Sequence, residues 1–398
     1  MCTLIVAGAL SAACGGGDGE AAGAAGAAGA ATGAAGAAGV AGAAGGSGGA
    51  SGGTAFSSTP LVHTATLGAG AGKACYSLRE ASEVPCDPAG TGWDWMVEVQ
   101  GKTWAIWTNG GVYGAGDGAA FGPMDEAAAA AMAGADDIPG LFQDERGGAF
   151  LDARWYAYDA QGTHDVSANY RVYVVDTGAA RYRVQLLSYY GADGSSGLLR
   201  LRYGLVGSDE VRSLEVDARA GGFGAPLDDP KNRYTYLDLD TGEVLALTDA
   251  GARSSDKAWD LGFKRFNVIS NGGVSGTGEV KTAIAARQDH LYDASGKPVA
   301  AAFAALTQAD ADAAFASVAS ADGLSFKADA ARPYIINDGG AQSWFQFEIK
   351  AGAPSFFANP SVWWAIRGAR RDAFAKLHVT ALDGATHSYT VEMFVERR

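Results

Sequence analysis

Basic residues are scarce and scattered in this chain: 30 Lys and Arg stand against 44 Asp and Glu, for a formal net charge of -14 and a pI near 4.8. No basic stripe of the kind that neutralises phosphates is present, which argues against nucleic-acid binding. Apolar runs long enough to span a bilayer are lacking beyond the N-terminus, so any membrane contact is expected through a lipid anchor alone. Catalytic signatures are missing as well. Outside a Gly-rich linker there is no GxSxG, no HExxH and no P-loop. Gly114-Ala115-Gly116-Asp117-Gly118 resembles a dinucleotide loop only in composition, and Asp238-Leu239-Asp240 lacks the Gly and terminal Glu of a calcium loop. An enzyme is therefore not expected; paired carboxylates suited to glycoside chemistry are the one arrangement left open, because their separation is spatial.

Cysteine is also rare, 4 in 398 residues, and two of the four lie near the start. Met1 to Cys14, MCTLIVAGALSAAC, is an apolar run followed by small residues ending in Cys, and resembles a bacterial lipoprotein signal with Cys14 as the acylated residue. It departs from that pattern in having no Lys or Arg before the apolar run and Ser11 three before the Cys, so an ordinary cleaved signal stays open. Either reading sends the protein out of the cytoplasm: lipid-anchored at the outer membrane or cell surface, or otherwise secreted. Residues 15–54 are nearly all Gly, Ala and Ser, a composition that cannot bury enough apolar surface to offset its ordering entropy, and are expected to be a disordered tether. Cys75 and Cys86 then remain, eleven apart around a Pro-containing loop, and an exported protein is expected to join them in a local disulfide. A metal pair would need a CxxC or a nearby His, and neither is there.

What the chain does have is a repeat. Trp259 to Gly278 reads WDLGFKRFNVISNGGVSGTG, and Trp93 to Gly118 reads WDWMVEVQGKTWAIWTNGGVYGAGDG. Each is a Trp-Asp start, an alternating strand and an Asn-Gly-Gly turn: Asn109, Gly110 and Gly111 in one, Asn271, Gly272 and Gly273 in the other. The Trp residues are 166 apart and the Asn residues 162 apart, so the chain reads as two copies of one unit. Short alternating segments bounded by Gly, Pro or Asp follow in the same order twice. Met124 to Ala133 is expected to be a helix with Pro123 at its start, and Thr307 to Val318 another, with Thr307 and Asp310 in capping-box spacing. The fold class is thus predominantly β: two tandem antiparallel β domains, each with one or two short helices. Residues 55–207 form the first, 230–398 the second, and polar, Gly-rich 207–229 the boundary.

The Trp259 stretch resembles the signature of the HmuY-like proteins, surface lipoproteins whose founding members bind haem. Tyr170 to Tyr190, YRVYVVDTGAARYRVQLLSYY, followed by LLRLRY, is similar to the C-terminal half of the same family. One copy thus carries the better front signature and the other the better back half. The resemblance implies a lipid-anchored all-β protein that captures haem or a similar flat hydrophobic ligand without catalysis.

Haem iron takes axial donors from His or Met, and in the family these are a His pair or a Met pair. The histidines here are His63, His164, His290, His378 and His387. His290, after the Asn271 turn, and Met124, at the matching place in the first copy, are the donor candidates; a solvated His and a core-packing Met are the plain alternatives. An Asp383-Gly384 two-residue turn would place His378 and His387 on one face of a hairpin. Trp93, Trp95 and Trp259 are candidates to line a flat-ligand site, with Trp93 and Trp95 on one face of a strand; the alternative is that they fill the core. The rival to ligand capture is a structural or interaction β module that holds another surface protein or a polysaccharide.

Overall fold

The structure, a computed structural model, describes residues 55–68, 71–220, 233–245, 247–253, 259–350 and 353–398. The expected export segment 1–14, with Cys14, and the tether 15–54 lie outside the described residues. Strands dominate. The first twelve are β1 (Leu61–Thr66), β2 (Ala71–Ser77), β3 (Ser82–Val84), β4 (Trp95–Gln100), β5 (Thr103–Thr108), β6 (Ala119–Met124), β7 (Glu145–Gly147), β8 (Tyr156–Tyr158), β9 (Val166–Ala168), β10 (Val172–Asp176), β11 (Arg181–Tyr190) and β12 (Ser196–Leu205). The next twelve are β13 (Arg212–Asp217), β14 (Thr235–Leu237), β15 (Val244–Leu245), β16 (Leu261–Lys264), β17 (Asn267–Ser270), β18 (Lys281–Ala286), β19 (Ala330–Arg332), β20 (Phe345–Lys350), β21 (Ala353–Ala358), β22 (Trp363–Arg367), β23 (Ala373–Asp383) and β24 (Ser388–Arg397). Among the described residues are five short α-helices, α1 (Glu126–Ala131), α2 (Ala149–Asp152), α3 (Asp249–Ala252), α4 (Ala300–Ala304) and α5 (Gln308–Ala316), and two single 3-10 turns, Ala135–Asp137 and Asp289–Leu291.

The sheets come in matched pairs. A five-stranded antiparallel sheet runs β1-β24-β23-β22-β6, and another runs β13-β12-β11-β10-β18. Four-stranded sheets run β3-β2-β4-β5 and β15-β14-β16-β17, and two hairpins are β20-β21 and β8-β9. In every pair, strands twelve apart in chain order hold the same place. Even the irregularities match: β22 slips register against β6 between Trp363 and Ala365, and β10 slips against β18 between Val172 and Tyr173.

These pairings correct the expected division into 55–207 and 230–398. The large sheet of the first unit takes β1 and β6 from the front of the chain and β22 to β24 from its end, with Leu61 opposite Met393 and Trp363 opposite Met124. The large sheet of the second takes everything from the middle, with Tyr173 opposite Ile284. Two apolar cores follow the same division. One gathers Trp95, Val97, Ile106, Trp364, Leu377 and Val391, the other Tyr173, Val184, Leu201, Leu237, Leu261 and Phe263. The boundary segment is not empty either, since β13 lies within it and pairs with β12.

Passage between the units occurs at β7 and β19. These three-residue strands pair antiparallel, Glu145 with Arg332, Arg146 with Ala331 and Gly147 with Ala330. On the near side of β7, Asp144 accepts the backbone N–H of Thr108 in the first unit, whereas Ala149 and Phe150 just beyond it pack in the core of the second. On the near side of β19, Asp329 accepts the N–H of Ser270 in the second unit, and Ile335 beyond it packs in the core of the first. The chain changes sides at both points.

Two of the helices, α5 and α1, end where a cation meets their carbonyls. α5 starts at Thr307, whose hydroxyl oxygen accepts the Asp310 N–H while the Asp310 carboxylate accepts the Thr307 N–H, as its spacing predicts. Ala314 and Phe315 lay it on Val172 and Val174, and the Arg183 guanidinium donates to the Phe315 and Val318 carbonyls at its C-terminal end. In the other unit Lys376 donates in the same way to the Ala129 and Met132 carbonyls beside α1. The helix expected from Met124 is shorter: β6 continues through Pro123 to Met124, and Asp125 caps a helix that begins at Glu126. Pairing with Trp363 keeps Met124 in the sheet.

Candidate ligand site

The two signature stretches build the same hydrogen-bonded cluster. Asn109 is fully buried; its Nδ2 donates to the Trp93 carbonyl at 2.7 Å, and its Oδ1 accepts the Gly116 N–H at 2.9 Å. Asn271 donates to the Trp259 carbonyl at 2.9 Å and accepts the Gly278 N–H at 3.0 Å. Beside them Asp94 accepts the Leu78 N–H and Asp260 the Leu239 N–H, each at 2.7 Å. Gly111 and Gly273 have φ of 70° and 62°, and a Cβ on either would lie 2.1 or 2.0 Å from the carbonyl oxygen of Asp144 or Asp329. The Asn-Gly pair is thus a buried joint in both copies, and the exposed Gly111 and Gly273 let the Asp144 and Asp329 backbones press against it, so the motif is not only a strand reversal.

This joint accounts for the tryptophans. Trp93, Trp95 and Trp259 are 2%, 0% and 1% exposed, so as they stand none lines a surface site. Trp93 and Trp95 do not share a surface: Trp95 packs in the main core of its unit and Trp93 with Met96 and Cys75 in a separate cluster. The Tyr76 carbonyl, accepting the Asp94 N–H, fixes the chain between them. Cys75 and Cys86 form the expected disulfide with Cα atoms 5.3 Å apart. At the corresponding place in the second unit, Tyr236 Oη donates to the Asp249 carboxylate at 2.7 Å.

Three of the five histidines are engaged by the fold. His63 lies 4.6 Å from the Tyr76 ring and beside Trp95 and Tyr389, and burial lowers its pKa. His378 stacks on Trp363 at 3.7 Å and approaches the Pro360 carbonyl with Nδ1 at 2.7 Å and Glu392 with Nε2 at 3.4 Å. His387 lies edge-on to Trp104 at 5.8 Å. The hairpin carrying the last two departs from the expected register. Asp383 pairs with Ser388 and His378 with Glu392, because a bulge falls between Val379 and Ala381 and His387 sits in the turn with φ of 53°. The two imidazoles do not face one another.

His164 and His290 are exposed, and the exchange of strands puts both in the second unit. His164 lies in the loop of the β8-β9 hairpin, with Asp159 at 3.6 Å. His290 lies on a single helical turn, Asp289–Leu291, just after β18. These two elements touch: Ala157 and Ala160 of the hairpin region cluster with Leu291 and Phe303. Polar contacts clamp them further. Asn169 Nδ2 donates to Tyr292 Oη at 2.8 Å, and Arg171 donates to the Arg287 carbonyl at 2.6 Å with its guanidinium 4.8 Å from the Tyr292 ring centre. His290 is one of the residues lining an open groove of about 410 Å³, in which Ala286, Ala313 and Ala314 alternate with the charged Arg287, Asp289 and Asp310. Met124, by contrast, is buried in the first unit among Ala129, Met132 and Trp363, so it shares no cleft with His290.

Two further features were not visible as sites in the sequence. Asp260 joins Asp238 and Asp240, their carboxylate oxygens within 4.8 Å of one another, and burial pushes the Asp260 carboxyl up to about 6. Sequence distance hid the third member; Asp260 already accepts the Leu239 N–H, and Asp240 accepts Tyr182 Oη at 2.7 Å. On the β20-β21 hairpin, Phe347 and Ile349 are 45% and 70% exposed. Alternation along a half-buried strand gives that pattern, but only the fold shows which side faces water.

No curated protein matches this chain. Residues 230–388 match the model of the HmuY protein family, and that stretch supplies β14 to β18 to one unit and β20 to β23 to the other. Over 230–388 the chain is therefore similar to the HmuY family, in a segment divided between two folded bodies.

Proposed function

We propose that this is a non-catalytic capture protein of the cell envelope, duplicated from an HmuY-like unit, tethered by lipid at Cys14 and binding haem or a similar flat hydrophobic ligand. The observation that carries this reading is the family match together with an exposed imidazole, His290, in the lining of a groove that also presents Ala286, Ala313 and Ala314. Groove volume falls within the roughly 300–1,000 Å³ of small-molecule sites. Haem, when bound, supplies an iron that accepts imidazole nitrogens. His290 and His164 fit that requirement better than the other histidines, whose rings are taken up by packing or hydrogen bonds. Imidazole ligates a metal only as the neutral base.

Adding ferric or ferrous haem to the protein and recording the Soret band tests the reading. A shifted band that His290→Ala weakens supports it, and no shift with either oxidation state removes haem. A second reading, an interaction module for a surface protein or polysaccharide, rests on the exposed Phe347 and Ile349 of the β20-β21 hairpin.

A further inference from the structure

We infer that the two repeats have exchanged halves within one chain, so that each folded unit, and any ligand site in it, is a joint product of both repeats. The inference does not depend on which ligand is bound.

Strands twelve apart are equivalent, which makes β1 to β12 one repeat and β13 to β24 the other. A repeat folding on itself would pair β1 with β12 and β6 with β10. The observed partners are the equivalents from the other repeat: β1 with β24, β6 with β22, β13 with β12 and β18 with β10. β7 and β19, equivalent to each other, are the two crossing points, and they pair with Arg146 opposite Ala331 at the centre. That is the geometry of a two-fold domain swap, here closed inside a single chain. The front half of either repeat exposes the same sheet edges and the same core face, so both pairings satisfy the same hydrogen bonds. The crossing strands decide between them, because each leads its chain away from the half it has just completed.

The consequence for function is specific. In the second unit the β8-β9 hairpin with His164 comes from the first repeat, and the segment with His290 comes from the second. A fragment cut to the family-matched segment would carry the front of one unit and the back of the other.

Cross-linking distinguishes the two arrangements in the full-length chain, with Cys2 and Cys14 replaced by serine. Thr64 and Thr390 are register partners on β1 and β24, their hydroxyl oxygens 3.0 Å apart. The strand place that Thr390 holds on β24 is held on β12 by Arg200. Thr64→Cys with Thr390→Cys is expected to form a disulfide in most molecules under mild oxidation. Thr64→Cys with Arg200→Cys is expected to form little. Masses of protease fragments under non-reducing conditions read the linkage, and far-ultraviolet circular dichroism confirms that each variant is folded. The reverse result, cross-linking through Arg200→Cys and not through Thr390→Cys, overturns the exchange.

Discussion

Removing the Asn109 side chain is predicted to destabilise the first unit far more than a turn residue ordinarily would. Asn109→Ala deletes the donors to the Trp93 and Gly90 carbonyls and the acceptor of the Gly116 N–H in a residue with no exposure. A buried backbone group left without a partner costs about 1–3 kcal/mol. Two such groups, Trp93 O and Gly116 N, give a loss of roughly 2–5 kcal/mol. For a body of this size that corresponds to a fall in Tm of roughly 5–15 °C. Asn271→Ala removes the equivalent bonds to Trp259 and Gly278 and is expected to have a similar effect on the second unit. Asn109→Asp keeps the acceptor for Gly116 and loses both donors, so it is expected to be destabilising as well. Urea unfolding followed by tryptophan fluorescence measures each change, with the exposed Gln308→Ala as a control within about 0.5 kcal/mol. Asn109→Ala and Asn271→Ala both behaving like the control would refute the claim that these residues are buried joints.

The remaining predictions concern pH and the disulfide. Burial pushes the Asp144 carboxyl up to about 7, and Asp260 up to about 6, against ordinary values of 3.8. Between those limits the folded state holds protons at these two groups that the unfolded chain has lost, so they add stability as pH falls through about 7 and level off near 4, while His63, lowered by burial, works in the opposite direction below 6.5. The gain from pH 8 to pH 5 is roughly 2–3 kcal/mol for Asp144; the exposed carboxylates with lowered pKa, such as Asp293 and Asp383, act only below that window. Urea midpoints at both pH values check the sign, and Asp144→Asn should flatten the dependence. Reducing Cys75–Cys86, which spans eleven residues, should lower the stability of the first unit by roughly 2–3 kcal/mol. Tyr236→Phe, at the equivalent place in the second, should lower it by about 1 kcal/mol.

The β class, the repeat, the disulfide and the Thr307 capping box could all be read in the sequence because each is local: alternation, an echoed motif, a Cys pair, a four-residue cap. The exchange could not. When two repeats present equivalent edges, periodicity is silent about which back half pairs with which front half, and the deciding strands, Glu145–Gly147 and Ala330–Arg332, are too short to show any pattern. The same limit applies to sites. His164 and His290 lie in different repeats and look unrelated until the crossing places both in one unit. Trp93 and Trp95 look like neighbours on a strand, yet β4 begins only at Trp95, so the alternation does not reach Trp93 and the two pack in different clusters. Asn-Gly-Gly is legible as a turn, while the Asp144 and Asp329 backbones that press on its last glycine come from far along the chain.

Severing the chain between the repeats tests the account most directly. A site for a sequence-specific protease inserted between Ala220 and Arg233 allows the folded protein to be cut once. If each unit is built by both repeats, the two pieces elute together as one species with unchanged circular dichroism and part only in denaturant. Two separately eluting folded pieces under native conditions would contradict it.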